Sequence, residues 1–128
     1  NVRVVSIIGR FLEHARIYYF RNGGDEEYFV GSADPMSRNL ESRVEVVTPV
    51  DAPALQARLK FVLDKQLNDR RSAWDMQADG TYVQRRPGPD EQVVGSQEAL
   101  IADAERRSFE ANRLRKRRPR IIPRRPYG

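Results

Sequence analysis

The sequence predicts an α/β domain, a mixed β-sheet with flanking helices, followed by a basic C-terminal tail that is extended or disordered. Three observations carry this. Short β-branched and aromatic runs recur between glycine-rich turn signals over about the first 85 residues. Residues 52–68 repeat apolar side chains at helical spacing. Residues 106–128 carry ten Arg or Lys against a single acid, Glu110, with Pro119, Pro123 and Pro126 among them. Proline at those positions forbids helix.

Taken in order, Val2 to Ile8 is apolar on both faces apart from Arg3 and Ser6, the pattern of a strand covered on both sides. Gly9 breaks it, and Arg10–His14 is expected as a turn or short helical piece. Arg16 to Arg21 should be a strand. Asn22-Gly23-Gly24-Asp25 is a hairpin signal, because these residues tolerate positive φ. Its partner strand runs from Glu27 to Val30. After a loop at Asp34–Ser37, a third strand is expected over Arg43 to Thr48, with Arg43, Glu45 and Val47 on one face.

Pro49 should end that strand. Asp51 is the expected N-cap of the helix over 52–68, whose stripe is Leu55, Leu59, Val62, Leu63 and Leu67. Ala73–Met76 and Thr81–Val83 read as a small hairpin through Ala78-Asp79-Gly80. Arg86-Pro87-Gly88-Pro89-Asp90 opens a linker. Ser96 is the expected cap of a second helix of about 15–20 residues, with a thin stripe of Leu100, Ile101, Ala104 and Phe109.

Composition bounds the function. The chain of 128 residues has room for one domain of ordinary size, and 32% charged residues with a mean hydropathy of −0.71 describe a soluble chain. No apolar run approaches the roughly 20 residues of a membrane span, and no signal-peptide pattern is visible. The absence of cysteine excludes disulfides and thiolate metal sites and suits a reducing compartment. The chain opens on a strand-like run without an initiator methionine, which leads to the expectation of a fragment of a longer protein. The net charge of +5 is asymmetric: residues 106–128 sum to +9 and the other 105 residues to −4.

Four constellations could carry chemistry. His14 and Arg16 stand two residues apart, so both leave one face of an extended segment. Imidazole can protonate a leaving oxygen, and guanidinium binds phosphate in a bidentate fork. Gly31-Ser32-Ala33-Asp34 ends a strand with small residues that allow close backbone approach, and Ser32 offers a hydroxyl to an oxyanion. Arg43 could bind phosphate while Glu45 holds a hydrated magnesium ion. The bland alternative for that pair is an exposed ion pair of little energetic worth. The tail around Arg113–Arg120 creates an anion-attracting field without interleaved aromatics.

These pieces stand in a particular order. Ser6-Ile7-Ile8-Gly9-Arg10-Phe11-Leu12-Glu13-His14-Ala15-Arg16-Ile17-Tyr18 is followed by Phe20–Asp25, Gly31–Asp34, Met36, Arg38-Asn39-Leu40 and Arg43–Val46. Over about residues 1–85 this series resembles the C-terminal catalytic domain of polyphosphate kinase 1. His14-x-Arg16 and Gly31-Ser32-x-Asp34 are similar to the His-x-Lys and Gly-Ser-x-Asn signatures of the phospholipase-D-like superfamily.

The resemblance implies a phospholipase-D-like sheet and reversible transfer of the terminal phosphate of ATP to polyphosphate through a phosphohistidine. That histidine lies in a preceding domain in the family, so it is outside this chain, whose only histidine is His14. By resemblance His14 is the second active-site histidine, and Arg16, Ser32, Asp34, Arg43 and Glu45 join it around ATP and phosphate, with Mg2+ accompanying the nucleotide.

Residues 1–86 are then a catalytic-domain fragment, 87–96 a linker and 97–128 a helix with a basic tail. Implied partners are ATP or ADP, polyphosphate, the rest of the kinase chain and a second copy of it, in the cytoplasm or peripherally at a membrane. The fragment alone should be inactive. One departure stands out: the family usually has tryptophan where Pro35 follows Asp34. The alternative reading is a polyanion or nucleic-acid-binding module acting through the tail. A phosphodiesterase fits less well, since it would need Lys in place of Arg16 and a second copy of the motif.

Overall fold

The computed structural model describes residues 2–89 and 91–117. It orders them as β1 (Val5–Ile7), β2 (Ile17–Phe20), β3 (Glu27–Gly31), α1 (Ser37–Ser42), β4 (Val47–Pro49), α2 (Pro53–Leu67), β5 (Ala73–Met76), β6 (Tyr82–Gln84) and α3 (Ser96–Arg117). The strands form two antiparallel sheets of three, in the orders β1-β5-β6 and β2-β3-β4, where one mixed sheet was expected. Short turns dictate the β2–β3 and β5–β6 pairs, because a tight hairpin can only return its strand antiparallel, while β4 and β1 join across longer connections.

Asn22, Gly23 and Gly24 take φ of 42°, 71° and 125° in a 3-10 turn, the region that Gly enters freely and Asn tolerates. This turn sets Ile17 opposite Val30 and Phe20 opposite Glu27. Gly80, at φ 84°, closes the second hairpin, where the Asp79 carboxylate accepts from the Thr81 N–H at 2.9 Å. There Trp74 faces Gln84 and Met76 faces Tyr82.

Other expectations shift. β1 is three residues long and half-buried, pairing only with β5 (Val5 opposite Asp75), while Val2 and Ile8 are exposed. The doubly covered strand over Val2 to Ile8 is therefore corrected to a short edge strand. Arg10–His14 forms bends and no helix. The third strand begins at Val47 and not at Arg43, because β3 ends at Gly31, its partner in the register, and offers Arg43–Glu45 no ladder. Pro49 pairs with Phe29 as the last residue of this edge strand, where its missing N–H costs nothing. The six-residue α1 has no apolar period and was not expected.

Ala52, not Asp51, is the N-cap of α2, with no side-chain cap. Instead the Gln56 side chain donates to the Val50 carbonyl at 2.9 Å. α3 extends to Arg117, so the basic residues from Arg106 to Arg117 are helical, and the expected extended tail beyond them lies outside the described residues.

The start of α3 is held by Asp69. Its carboxylate accepts from the main-chain N–H groups of Arg71 (2.8 Å), Ser72 (2.7 Å) and Ser96 (2.7 Å). The expected cap by the Ser96 side chain is thus replaced by a cap from a different loop. Burial alone would raise the Asp69 carboxyl, but the Ser72, Ser96 and Arg71 bonds outweigh it and hold it below its ordinary value.

Arg85 joins the same corner. It grips Asp75 bidentately (2.6 and 2.7 Å) and donates to the carbonyls of Leu67 and Asp69 (2.8 and 3.0 Å). That guanidinium, with Arg3 assisting, pulls the Asp75 carboxyl down to about 2. Further along α3, Asp103 pairs with Arg58 of α2 at 2.5 Å. Beyond Asp103 the helix leaves the body, and Phe109 and Leu114 are exposed.

Candidate functional site

The segment between β1 and β2 meets the segment after β3 in an open cleft of about 690 Å³. Its lining includes His14, Arg16, Ser32, Asp34, Arg38, Asn39 and Arg43. Each half of the cleft is fixed by the sheet. The Arg16 carbonyl accepts from the Gly31 N–H at 3.2 Å, locking the start of β2 against the end of β3. A Cβ at Gly31 would run into the Val46 carbonyl oxygen and sit 2.9 Å from Val47 Cγ2, so only glycine lets the chain before β4 lie this close.

Arg16 donates Nη2 to Asp34 Oδ2 at 2.6 Å, and both side chains are mostly covered. Its Nη1 reaches the Ala15 carbonyl at 3.4 Å, and its Nε, shielded from solvent, has no acceptor among the described residues. Asp34 thus orients the guanidinium while leaving part of its donor fork uncommitted. The Tyr18 hydroxyl donates to the Ala33 carbonyl and steadies the intervening turn.

Ser32 donates Oγ–H to the Glu45 carboxylate and accepts from the Val46 N–H at 3.1 Å. Glu45 therefore stands behind Ser32 and does not line the cleft itself, while Arg43 does. Among the described residues Arg43 and Glu45 form no ion pair. His14 is exposed and lines the same cleft as Arg16, Arg38 and Arg43. Next to it, Glu13 accepts from Gln66 at 2.6 Å and from Gln97 at 2.9 Å.

Arg38 and Asn39 complete the lining and were not singled out as site residues from the sequence. Their only signal was membership of the Met36–Leu40 motif. Asn39 is nearly fully buried, with Oδ1 unpaired among the described residues. The six sequence-predicted residues are thus brought together, five on the cleft and Glu45 one hydrogen bond behind it. Pro35 lies to one side, in an apolar hollow of about 380 Å³ with Tyr18, Phe20, Phe29, Ala33 and Val47.

Three arginines and one histidine around one open cleft, with Asp34 and Glu13 as the acids, make an anion-receiving surface. Among the described residues no group of three or more His, Cys, Asp or Glu is gathered as a metal cage.

Comparison with known proteins agrees with the motif order. The family model "Polyphosphate kinase C-terminal domain 2" matches residues 1–97. The polyphosphate kinase of Synechocystis sp. is 54% identical over 115 residues, which is 90% of this chain and 16% of that protein. That of Thermosynechococcus vestitus is 56% identical over 102 residues, 80% of this chain and 14% of the relative. The crystal structure of polyphosphate kinase from Porphyromonas gingivalis superposes with a TM-score of 0.76 at 34% identity, covering 86% of this chain and 17% of that one.

The chain therefore spans only a small part of the length of the relatives it matches. These comparisons lend no support to the alternative of a separate polyanion or nucleic-acid-binding module. With most of its length matched by the family model, the chain belongs to the polyphosphate kinase family, through its C-terminal domain 2.

Proposed function

We propose that this segment supplies the nucleotide- and phosphate-gripping half of a polyphosphate kinase active site. In that reaction the terminal phosphoryl group passes from ATP to a histidine outside these residues, releasing ADP. It then passes to the terminal oxygen of polyphosphate, which grows by one unit, and both steps are reversible. The observation that supports this most is the convergence of His14, Arg16, Arg38 and Arg43 on one cleft.

Phosphoryl transfer needs little covalent work from its surroundings beyond the nucleophile. It needs cations that follow the charge on the equatorial oxygens. Arg16, held by Asp34, and Arg43 take that part, with Asn39 a neutral polar group beside them, while the Ser32 hydroxyl is engaged by Glu45 and Val46. His14 contacts the phosphates and supplies or removes a proton at the bridging oxygen.

A magnesium ion accompanying ATP keeps most of its ligands as water and phosphate oxygens and needs one or two protein carboxylates. Glu45, one hydrogen bond behind the cleft through Ser32, would meet such an ion through one of its bound waters, and the ion would neutralise phosphate charge. Kinship to the phospholipase-D-like superfamily, a cytoplasmic location and self-association belong to the same reading. No helix among the described residues is long and apolar enough to cross a membrane.

His14→Ala in the full-length enzyme tests the reading. Loss of a proton-transfer and phosphate-contact group should lower polyphosphate synthesis about 100-fold or more. Synthesis within tenfold of wild type overturns it.

The exposed second half of α3 carries Arg106, Arg107, Arg113 and Arg115, and Arg106 is bound to Asp103 at 2.6 Å. Its clustered guanidinium groups set up a field that attracts a long polyanion. Deleting residues 106–128 should weaken polyphosphate binding about tenfold at low salt, with the deficit shrinking as salt rises. An affinity unchanged across a salt series rules the surface out.

A further inference from the structure

Between the end of β1 and the start of β2, the chain that carries His14 has no helix or strand of its own. Among the described residues, the hydrogen bonds to main-chain atoms from Gly9 to His14 both come from one side chain, Gln97 at the start of α3. Its Oε1 accepts from the Phe11 N–H at 3.0 Å, and its Nε2 donates to the Phe11 carbonyl at 2.8 Å. The same Nε2 donates to Glu13 Oε1 at 2.9 Å, and the other Glu13 oxygen is held by Gln66 of α2.

Gln97 is 6% exposed, so its amide is largely shielded although its partners Phe11 and Glu13 reach the surface. Gly9 makes room for them: a Cβ there would strike Oε1 and lie 2.6 Å from Cδ. An amide satisfied at both ends and walled in on one side has a single place to sit.

We propose that Gln97 is a positioning residue for His14, setting the loop that presents the imidazole to the phosphates. The inference rests on the reading above that His14 works in the cleft. Three features make the side chain specific. An amide carries an acceptor and a donor side by side, which lets it pair with both the N–H and the carbonyl of one main-chain residue. The bond to Glu13 fixes the residue adjacent to His14. Ser96, the neighbour of Gln97, is anchored separately by Asp69, so the base of the grip does not depend on the loop it holds.

The test uses the full-length kinase carrying this segment, with kcat and KM for ATP measured in polyphosphate synthesis and hydrogen exchange followed over residues 10–16. Gln97→Ala should lower kcat about tenfold, leave KM for ATP within about twofold and speed exchange over 10–16. Arg58→Ala, which cuts the α2–α3 ion pair to Asp103, should leave kcat near wild type and so separates loop placement from helix anchoring.

Gly9→Ala presses on the Gln97 amide from an exposed position and should also lower kcat. The double variant should fall no further than Gln97→Ala alone, because both act on one contact. A kcat within twofold of wild type in Gln97→Ala overturns the proposal, as do multiplying effects in the double variant. Should Gln97→Ala fail to fold, a normal kcat in Gly9→Ala alone overturns it. If His14→Ala keeps synthesis, the functional reading and this inference both fall. If His14→Ala abolishes synthesis while Gln97→Ala keeps kcat, only this inference falls.

Discussion

Arg16→Ala in the full-length kinase is expected to lower kcat/KM for ATP by about 10³-fold, the scale on which cations act at a migrating phosphoryl group. The site explains why this arginine should matter more than Arg38 or Arg43. Its guanidinium is mostly covered, oriented by Asp34 at 2.6 Å, and carries an Nε with no acceptor among the described residues. A guanidinium already held in place loses little entropy on meeting phosphate, whereas exposed Arg43 must be ordered by the ligand.

Arg16→Lys should recover only part of the loss, since an ammonium cannot serve Asp34 and a phosphate oxygen in one plane. Removing Arg16 also strands Asp34 beside the incoming anion. Arg16→Ala/Asp34→Ala should therefore be more active than Arg16→Ala, though still far below wild type. Steady-state kinetics on the three variants decide the matter. Equal activity of Arg16→Ala and wild type removes Arg16 from the site, and no gain in the double variant removes Asp34 from its electrostatics.

The parts of this fold legible in the sequence are those with local causes. Asn22–Gly24 and Gly80 must take positive φ wherever the rest of the chain goes, so both hairpins could be read. The stripe from Leu55 to Leu67 commits α2 in the same way. What escaped depends on partners distant in sequence. β4 starts at Val47 only because Gly31 ends β3, and β1 is an edge strand only because β5 returns to it alone. Ser96 looked like a cap, yet the cap comes from Asp69, 27 residues earlier.

The site followed the same division. His14, Arg16, Ser32, Asp34 and Arg43 belong to motifs and met in the cleft. Glu45 shared an alternating face with Arg43, but that alternation holds only in a paired strand, and its carboxylate turned to Ser32. Gln97, a glutamine after a linker, carried no signal at all. Its meaning exists only once Phe11, 86 residues away, is beside it.

Asp69→Ala is expected to give the largest stability loss among single substitutions here, about 3 kcal/mol or more for the corner joining α2, β5 and α3. Three main-chain N–H groups lose a charged acceptor at once, and the cost of leaving such a donor unpaired when buried is about 1–3 kcal/mol. Ser96 is itself almost fully buried, so water cannot fully replace the carboxylate there. Asp69→Asn keeps an acceptor oxygen and should lose less.

The carboxyl is held below its ordinary value of 3.8 in the folded state, so its contribution has a definite sign with pH. It is complete above the ordinary value and is lost as pH falls through the lowered folded-state value. The gap between wild type and Asp69→Asn should therefore be constant from neutral pH down to about 4 and narrow below it. Hydrogen exchange at the Ser72 and Ser96 amides of the full-length protein reads this directly. About 3 kcal/mol corresponds to at least a hundredfold faster opening in Asp69→Ala. A gap that widens on acidification, or exchange at Ser96 unchanged by Asp69→Ala, means that α3 is anchored by something other than this carboxylate. Because Gln97 follows Ser96 directly, loosening this corner should also speed exchange at Phe11, carrying the defect from Asp69 to the loop of His14.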